Sequence, residues 1–440
     1  ALAMLYAAAG RPEESIPLYE AILAKEPAHP LAGPNIAFVS TLTDSTPEQL
    51  LAYRKLWYNA HRYTGEKKPH NNDKNPDRPI KVGYVGGDFK RHSAAMIFGS
   101  VVLSHKRANV IPYLYSSLAV DPAADTVTKQ FMEAAGPNWR DITTLNDEAV
   151  EELVRKDEID ILVDLAAHTN GGRLAVFTRK PAPVQVTAWG FAHGSGVPEI
   201  DFFFADPIAV REEERQFYAE KIIDLPCIVS YAPPGEYNIK GKSALPFFQN
   251  DYITFGSMAR YEKMSNACLA AIVEIMKRVP GSKIHFKAHA LRRPYAIRRI
   301  MDAMKEIDKS RIMFSISTSH PDHLQCMQSC DMMLDTYPHG GGVVTLEALW
   351  MSVPICTLNG TQASCRTASS VLTAMGRTDW IAKTKEEYVE VAVRMASDIP
   401  MLNKARKTLR DELLASPVIR GYMDATETVY RKIWQEYCSK

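Results

Sequence analysis

"DMMLDTYPHGGGVVTLEALWMSVPICTL", residues 331–358, holds an apolar run, a turn of three glycines, a helical stretch and a second apolar run. Strands alternating with helices in this way imply a parallel sheet. Glycine at 340, 341 and 342 costs backbone entropy and contributes no packing, so the spacing predicts that something approaches that backbone closely. Backbone N–H groups at a helix N-terminus form an anion site, and glycine lets a pyrophosphate come near. Glu347, one turn into the helix, is placed to accept hydrogen bonds from sugar hydroxyls.

The same alternation extends outward from this stretch. Upstream, "YITFGSM", "KIHFKA" and "RIMFSI" precede it in one half of the chain. Before them come "IKVGYV", "VIPYLYS", "IDILVDLA", "VQVTAWG" and "FFFAD". Two doubly wound α/β domains follow from this pattern, with ligands expected beyond the carboxyl ends of their strands and a cleft where the domains face each other. The expected boundaries are 79–235 and 250–415, joined by a turn-rich bridge, "YAPPGEYNIKGKSALPFFQN". A C-terminal helix over 416–440, with Val429, Trp434 and Tyr437 at helical spacing, is expected to pack back on them. At the other end, residues 1–34 read as two amphipathic helices split at Gly10-Arg11-Pro12. They resemble one tetratricopeptide repeat, the trailing edge of a longer array or a cap on the next domain. A helical linker region fills 35–78.

At 440 residues the chain is too long for one ordinary core, in keeping with several domains. Lys+Arg 52 against Asp+Glu 51 leaves a formal charge of +1, which gives no global signature of nucleic-acid binding. No apolar run is long enough to span a bilayer, so no membrane partner is expected. The seven cysteines are scattered, without a CxxC or a zinc-like Cys/His spacing. Free thiols in a reducing, cytoplasmic setting are the reading that fits.

Four stretches place polar residues just after apolar strands. In "VGYVGGDFKRHSAAM", His92 falls at a helix start, where it can serve as a general base or simply cap or pack. In "DLAAHTNGGRLAVFTRKPAPVQVTAWGFAHGSG", His168 ends one strand and Gly190 the next, each followed by a glycine turn that turn chemistry alone explains well. In "FGSMARYEKMSN", Lys263 precedes a helix starting near Ser265; it can offset a phosphate or be a solvated surface lysine. In "STSHPDHLQCMQSCD", His320 and His323 lie three apart at a helix start and can share a face. There is no GxGxxG with its later acidic residue and no GxxxxGK[ST], so dinucleotide and P-loop readings fail on pattern. Nor is there a DxD, the usual metal anchor of single-domain nucleotide-sugar enzymes.

These long motifs resemble the O-linked N-acetylglucosaminyltransferase family, the SPINDLY-like group included, and more closely its bacterial members. The resemblance runs from the repeat-like start to the final helix. It implies a glycosyltransferase-B fold and an inverting, metal-independent transfer of N-acetylglucosamine from UDP-GlcNAc to Ser or Thr of acceptor proteins, with no cofactor. By the same resemblance His92 sits near the donor sugar and acceptor hydroxyl, and Lys263 stabilises the departing diphosphate. His323 lies at the nucleoside, Gly341, Gly342, Val343 and Val344 hold the pyrophosphate, and Glu347 binds the ribose. His168 and Gly190 complete the expected nucleotide-sugar contacts. Three departures stand out. The animal enzymes have His-Thr-Thr where this chain has Gly342-Val343-Val344, so two hydroxyls are missing. Arg260 replaces a Gln or Asn near the base, and His320 replaces a lysine. GDP-fucose as donor, or a non-catalytic repeat-bearing scaffold, are the alternatives.

Overall fold

The computed structural model describes residues 1–233, 243–316 and 318–440. Two compact units emerge, each woven from separate parts of the chain.

One unit takes residues 21–38, 47–232 and 419–440. Its sheet has seven parallel strands: β1 (Ile80–Gly86), β2 (Val110–Ser116), β3 (Trp139–Asp141), β4 (Ile161–Asp164), β5 (Val184–Thr187), β6 (Phe202–Ala205) and β7 (Lys221–Asp224). They run in the order β3-β2-β1-β4-β5-β6-β7. The central strands β4 and β5 are buried at every residue, as a sheet covered on both faces requires. Gly83 lets β1 fit there: a Cβ would come within 2.9 Å of Leu162 and 3.0 Å of Tyr115. Tyr115, Val150, Val154, Leu162 and Phe177 are among the side chains that fill the core.

The final helix, Tyr422–Cys438, belongs to this unit. Its buried face is Tyr422, Thr426, Tyr430, Ile433 and Trp434, at helical spacing, with Val429 and Tyr437 less buried beside it. Trp189 donates to the Tyr422 hydroxyl at 3.0 Å, and that hydroxyl donates to the Cys227 carbonyl at 2.9 Å. Such partners let buried Trp and Tyr keep their polar ends satisfied.

The other unit takes residues 1–20, 39–46 and 233–418. Its six parallel strands are β8 (Thr254–Ser257), β9 (Lys283–Lys287), β10 (Ile312–Ser315), β11 (Met332–Leu334), β12 (Ile355–Leu358) and β13 (Ile381–Ala382). They run in the order β10-β9-β8-β11-β12-β13. Most of its longer helices start on a side-chain cap. Ser265, Ser319, Thr384 and Asp398 each accept from an amide in the first turn. The first helix, Leu2–Ala8, and the next, Pro12–Lys25, meet at Gly10, whose φ of +72° suits glycine.

All ten apolar runs became strands; three strands carried no such run. β3, β7 and β13 are all sheet edges, where one side is unpaired and the strand is short. Residues 234–242 of the expected bridge lie outside the described residues. All seven cysteines are free thiols. Among the described residues, no helix is long and apolar enough to cross a membrane.

Candidate nucleotide site and histidine turn

The glycine turn between β11 and the helix Val343–Trp350 is built around Asp335, a buried carboxylate at the strand end that motif reading did not single out. It accepts from the Gly341 amide at 2.7 Å, the Thr336 amide at 2.8 Å and the Thr357 hydroxyl at 2.7 Å. The signal for it was in the sequence: an aspartate closing an apolar strand just ahead of a glycine turn.

Two of the three glycines answer to the protein's own packing. A Cβ at Gly340 would stand 3.0 Å from the Cys365 carbonyl and 3.1 Å from Asp335. At Gly341 it would stand 2.8 Å from Val344 and 3.1 Å from Asp335. Only Gly342 faces open space, its nearest neighbour being Thr367 at 3.8 Å. The amide of Gly341, expected to face a phosphate, is already donated to Asp335. The N–H groups of Gly342, Val343 and Val344 have no acceptor among the described residues. Without a side-chain cap, these three amides and the positive end of the helix are left open, the arrangement that suits an anion.

Lys263 lies under the same turn, its ammonium donating to the Gly340 carbonyl at 2.8 Å. Burial, with the charge of Arg260 beside it, pushes its pKa down to about 7. Burial pushes Asp335 up to about 6, against the pull of Thr357, the Gly341 and Thr336 amides and Lys263. Arg260 is itself exposed and pairs with Glu262 at 3.5 Å.

Glu347 is buried one turn into the same helix. Its carboxylate takes His320 Nε2 at 2.5 Å and His323 Nε2 at 3.5 Å. Burial alone would raise its pKa, but the two imidazoles hold it below the usual carboxylate range. His320 and His323 share a face as their spacing predicted, with rings 6.5 Å apart. Lys263, Arg260, His320, His323, Glu347 and the glycine turn therefore all belong to the β8–β13 unit.

His92, His168 and Gly190 belong to the β1–β7 unit. His92 is the N-cap of the helix Ser93–Val102, its Nδ1 3.2 Å from the Ala94 amide. The same Nδ1 lies 3.3 Å from Asp88 Oδ2. The two contacts favour opposite tautomers. Capping Ala94 needs the Nδ1 lone pair and leaves Nε2 as a donor; facing Asp88 needs Nδ1–H and frees Nε2 as a base. Half of the His92 side chain is exposed, at 48%. Asp88, four residues earlier, is the group that motif reading passed over.

His168 is buried, and its Nε2 donates to the Ser195 carbonyl at 2.7 Å. Burial pushes its pKa down to about 4, so the ring is neutral. Trp57 and Phe191 meet its ring edge-on. Gly190 has no room for a side chain, since a Cβ would fall 1.9 Å from the Leu165 carbonyl. In this unit both residues pin loops to strand ends. The "AHGSG" loop is held further by Glu220, which accepts from both the Ser195 amide and hydroxyl at 2.5 Å.

A family model described as glycosyl transferase family 41 matches residues 59–229 and 241–425. Among curated relatives, a protein of Arabidopsis thaliana named probable UDP-N-acetylglucosamine–peptide N-acetylglucosaminyltransferase SPINDLY is 31% identical over 84% of this chain and 41% of its own length. The SEC protein of the same plant, named for the same activity, is 28% identical over 82% of this chain and 38% of its own. The chain thus spans about two-fifths of the length of these relatives. Among solved structures, a lysine-to-methionine mutant of the O-GlcNAc transferase of Thermobaculum terrenum aligns at a TM-score of 0.89 and 27% identity. That alignment covers 100% of this chain and 84% of the other. Anabaena HepE, solved with UDP and glucose, aligns at 0.52 and 11% identity and shares the fold alone.

Proposed function

The chain belongs to glycosyl transferase family 41, and from that premise we propose that it transfers N-acetylglucosamine from UDP-GlcNAc to Ser or Thr hydroxyls of proteins, inverting the sugar and needing no metal. The observation that carries the reading is the pairing of three unpartnered helix amides, Gly342 to Val344, with Lys263 beneath the same turn. When the bond from the sugar to the diphosphate breaks, the negative charge that collects on UDP meets preorganised donors, which is where such donors act best. The valines at 343 and 344 offer no hydroxyl, so the grip on phosphate rests on backbone and lysine. Glu347, oriented by His320 and His323, is assigned to the ribose, and Arg260 to the rim of the nucleotide. His92 is assigned to the acceptor hydroxyl, accepting its proton through Nε2 when Nδ1–H faces Asp88.

Incubation with UDP-GlcNAc or GDP-fucose, with and without a peptide library, tests this by release of nucleotide and by mass of the peptide products. UDP release with a gain of one N-acetylhexosamine is expected, unchanged by a chelator, and the anomer of the product reads inversion directly. Fucose transfer would replace the donor assignment. No turnover and no binding of either nucleotide would sink the enzyme reading altogether.

A further inference from the structure

The face of the β8–β13 unit that borders Lys263 is unusually rich in arginine. Arg260 sits three residues before Lys263 and is 56% exposed. The short turn His289–Arg292 and the helix Pro294–Ala303 add exposed Arg292, Arg293 and Arg298. Two of these, Arg293 and Arg298, have no hydrogen bond or ion pair from their side chains among the described residues. Arg299 completes the face without a carboxylate: it donates to the Met264 carbonyl at 2.8 Å and Asn266 at 2.9 Å, and lies over the Tyr261 ring.

This face is continuous with the N-terminal helix turn. The Tyr261 hydroxyl donates to the Ala9 carbonyl at 3.3 Å and the Tyr295 hydroxyl to the Ala8 carbonyl at 3.4 Å. Gly10 is packed against Arg299, where a Cβ would stand 2.8 Å from Nη1. Arg11 follows, exposed and paired with Glu14. Of the acidic residues of the face, Glu14 and Glu262 are engaged by arginines, and Asp302, one turn beyond Arg298, is an exposed carboxylate among five arginines. In a chain whose formal charge is only +1, such a local excess of cations is a specific feature.

We propose that this arginine face docks acidic segments of the acceptor polypeptide. The chemistry fits a short run of Asp and Glu. Two unpaired guanidiniums offer bidentate sites for carboxylates, and the half-exposed Tyr295 ring, at 39%, offers an edge to the peptide between them. RNA would find only this one ring for base stacking on the helix, which favours a peptide over a nucleic acid. The inference rests on the proposed transfer to protein, because it names a property of the acceptor. Its role is in encounter and acceptor choice rather than in the chemical step.

The test is fluorescence anisotropy of the whole chain with labelled twelve-residue peptides, one Ser flanked by Asp and Glu, the other by Asn and Gln. At low ionic strength the acidic peptide is expected to bind about tenfold more tightly, and the advantage should fade at high salt. Arg293→Glu with Arg298→Glu should erase it while leaving UDP affinity and melting temperature unchanged, since both side chains are exposed and unpaired. Equal binding of the two peptides, or a preference that survives the double reversal, overturns the proposal. So does binding of RNA or phosphatidylserine vesicles through these arginines in place of the acidic peptide. Because binding is read without turnover, a chain that proves inactive still separates these outcomes. In an active chain the double reversal should raise KM for the acidic peptide and leave kcat alone.

Discussion

The helix after β1 begins with His92 laying its own imidazole against the Ala94 amide, whereas the helix after β11 begins at Gly342 with three amides unclaimed among the described residues. Both follow a parallel strand in a doubly wound sheet, where ligands gather. A capped start uses its donors within the protein and presents the capping group, here a titratable ring, to its surroundings. An uncapped start keeps its donors and its dipole for an anion. The same local architecture thus yields a candidate proton acceptor in one unit and a candidate phosphate cradle in the other.

This contrast breaks at the ring first. His92→Ala should lower kcat by about 10²–10⁴-fold if the imidazole takes the acceptor proton. Asp88→Asn should lower it by about tenfold or more, because Nδ1–H then loses its charged acceptor. Activity unmoved by Asp88→Asn would leave His92 as a cap alone. Next, Lys263→Ala should cost about 10²–10³-fold in turnover, the scale of one preorganised donor. A fully active Lys263→Ala would refute the leaving-group assignment.

Acidity sets the two helix starts apart as well. The lowered pKa of Lys263 means that its charge is present below about 7 and is lost above it in the free chain. A bound diphosphate restores the proton. UDP affinity measured by calorimetry should therefore weaken about tenfold per pH unit above 7, and Lys263→Ala should lack that slope. For folding the sign is opposite. The unfolded lysine titrates near 10.5, so the buried ammonium costs most below pH 7 and the cost is relieved as pH rises toward 10.5.

The smallest effect sharpens the comparison most. Gly342→Asp has room for its side chain and turns the open helix start into a capped one. Stability should rise by about 0.5 kcal/mol, read as a small gain in melting temperature. UDP affinity should fall on the order of tenfold, since the cap takes the amides and adds a like charge. A gain in stability without a loss of affinity would show that the amides are not the phosphate site.

Much of this was legible along the chain. Runs such as "IDILVDLA" and "VPICTL" announce strands buried on both faces, and Ser265 and Ser319 announce helix starts by their short polar side chains. The edges β3 and β7 escaped because "WRD" and "KIID" have no burial pattern to display. His320, His323 and Glu347 could be suspected of a shared role from spacing, yet their meeting across two helices is a tertiary fact.

By itself the sequence determined two parallel α/β sheets, the positions of their helix starts and a glycine turn suited to an anion. Periodicity, caps and turn residues are local, and local patterns carry over into local structure. The tertiary structure alone decided what each glycine is for. Asp335 claims the Gly341 amide, the backbone at Ser364 and Cys365 closes on Gly340, and only Gly342 is left open. It also brought Lys263 beneath that turn and set Arg299 against Tyr261, Met264 and Asn266. Those choices depend on which distant backbones come within van der Waals reach, and no window of neighbouring residues contains that information.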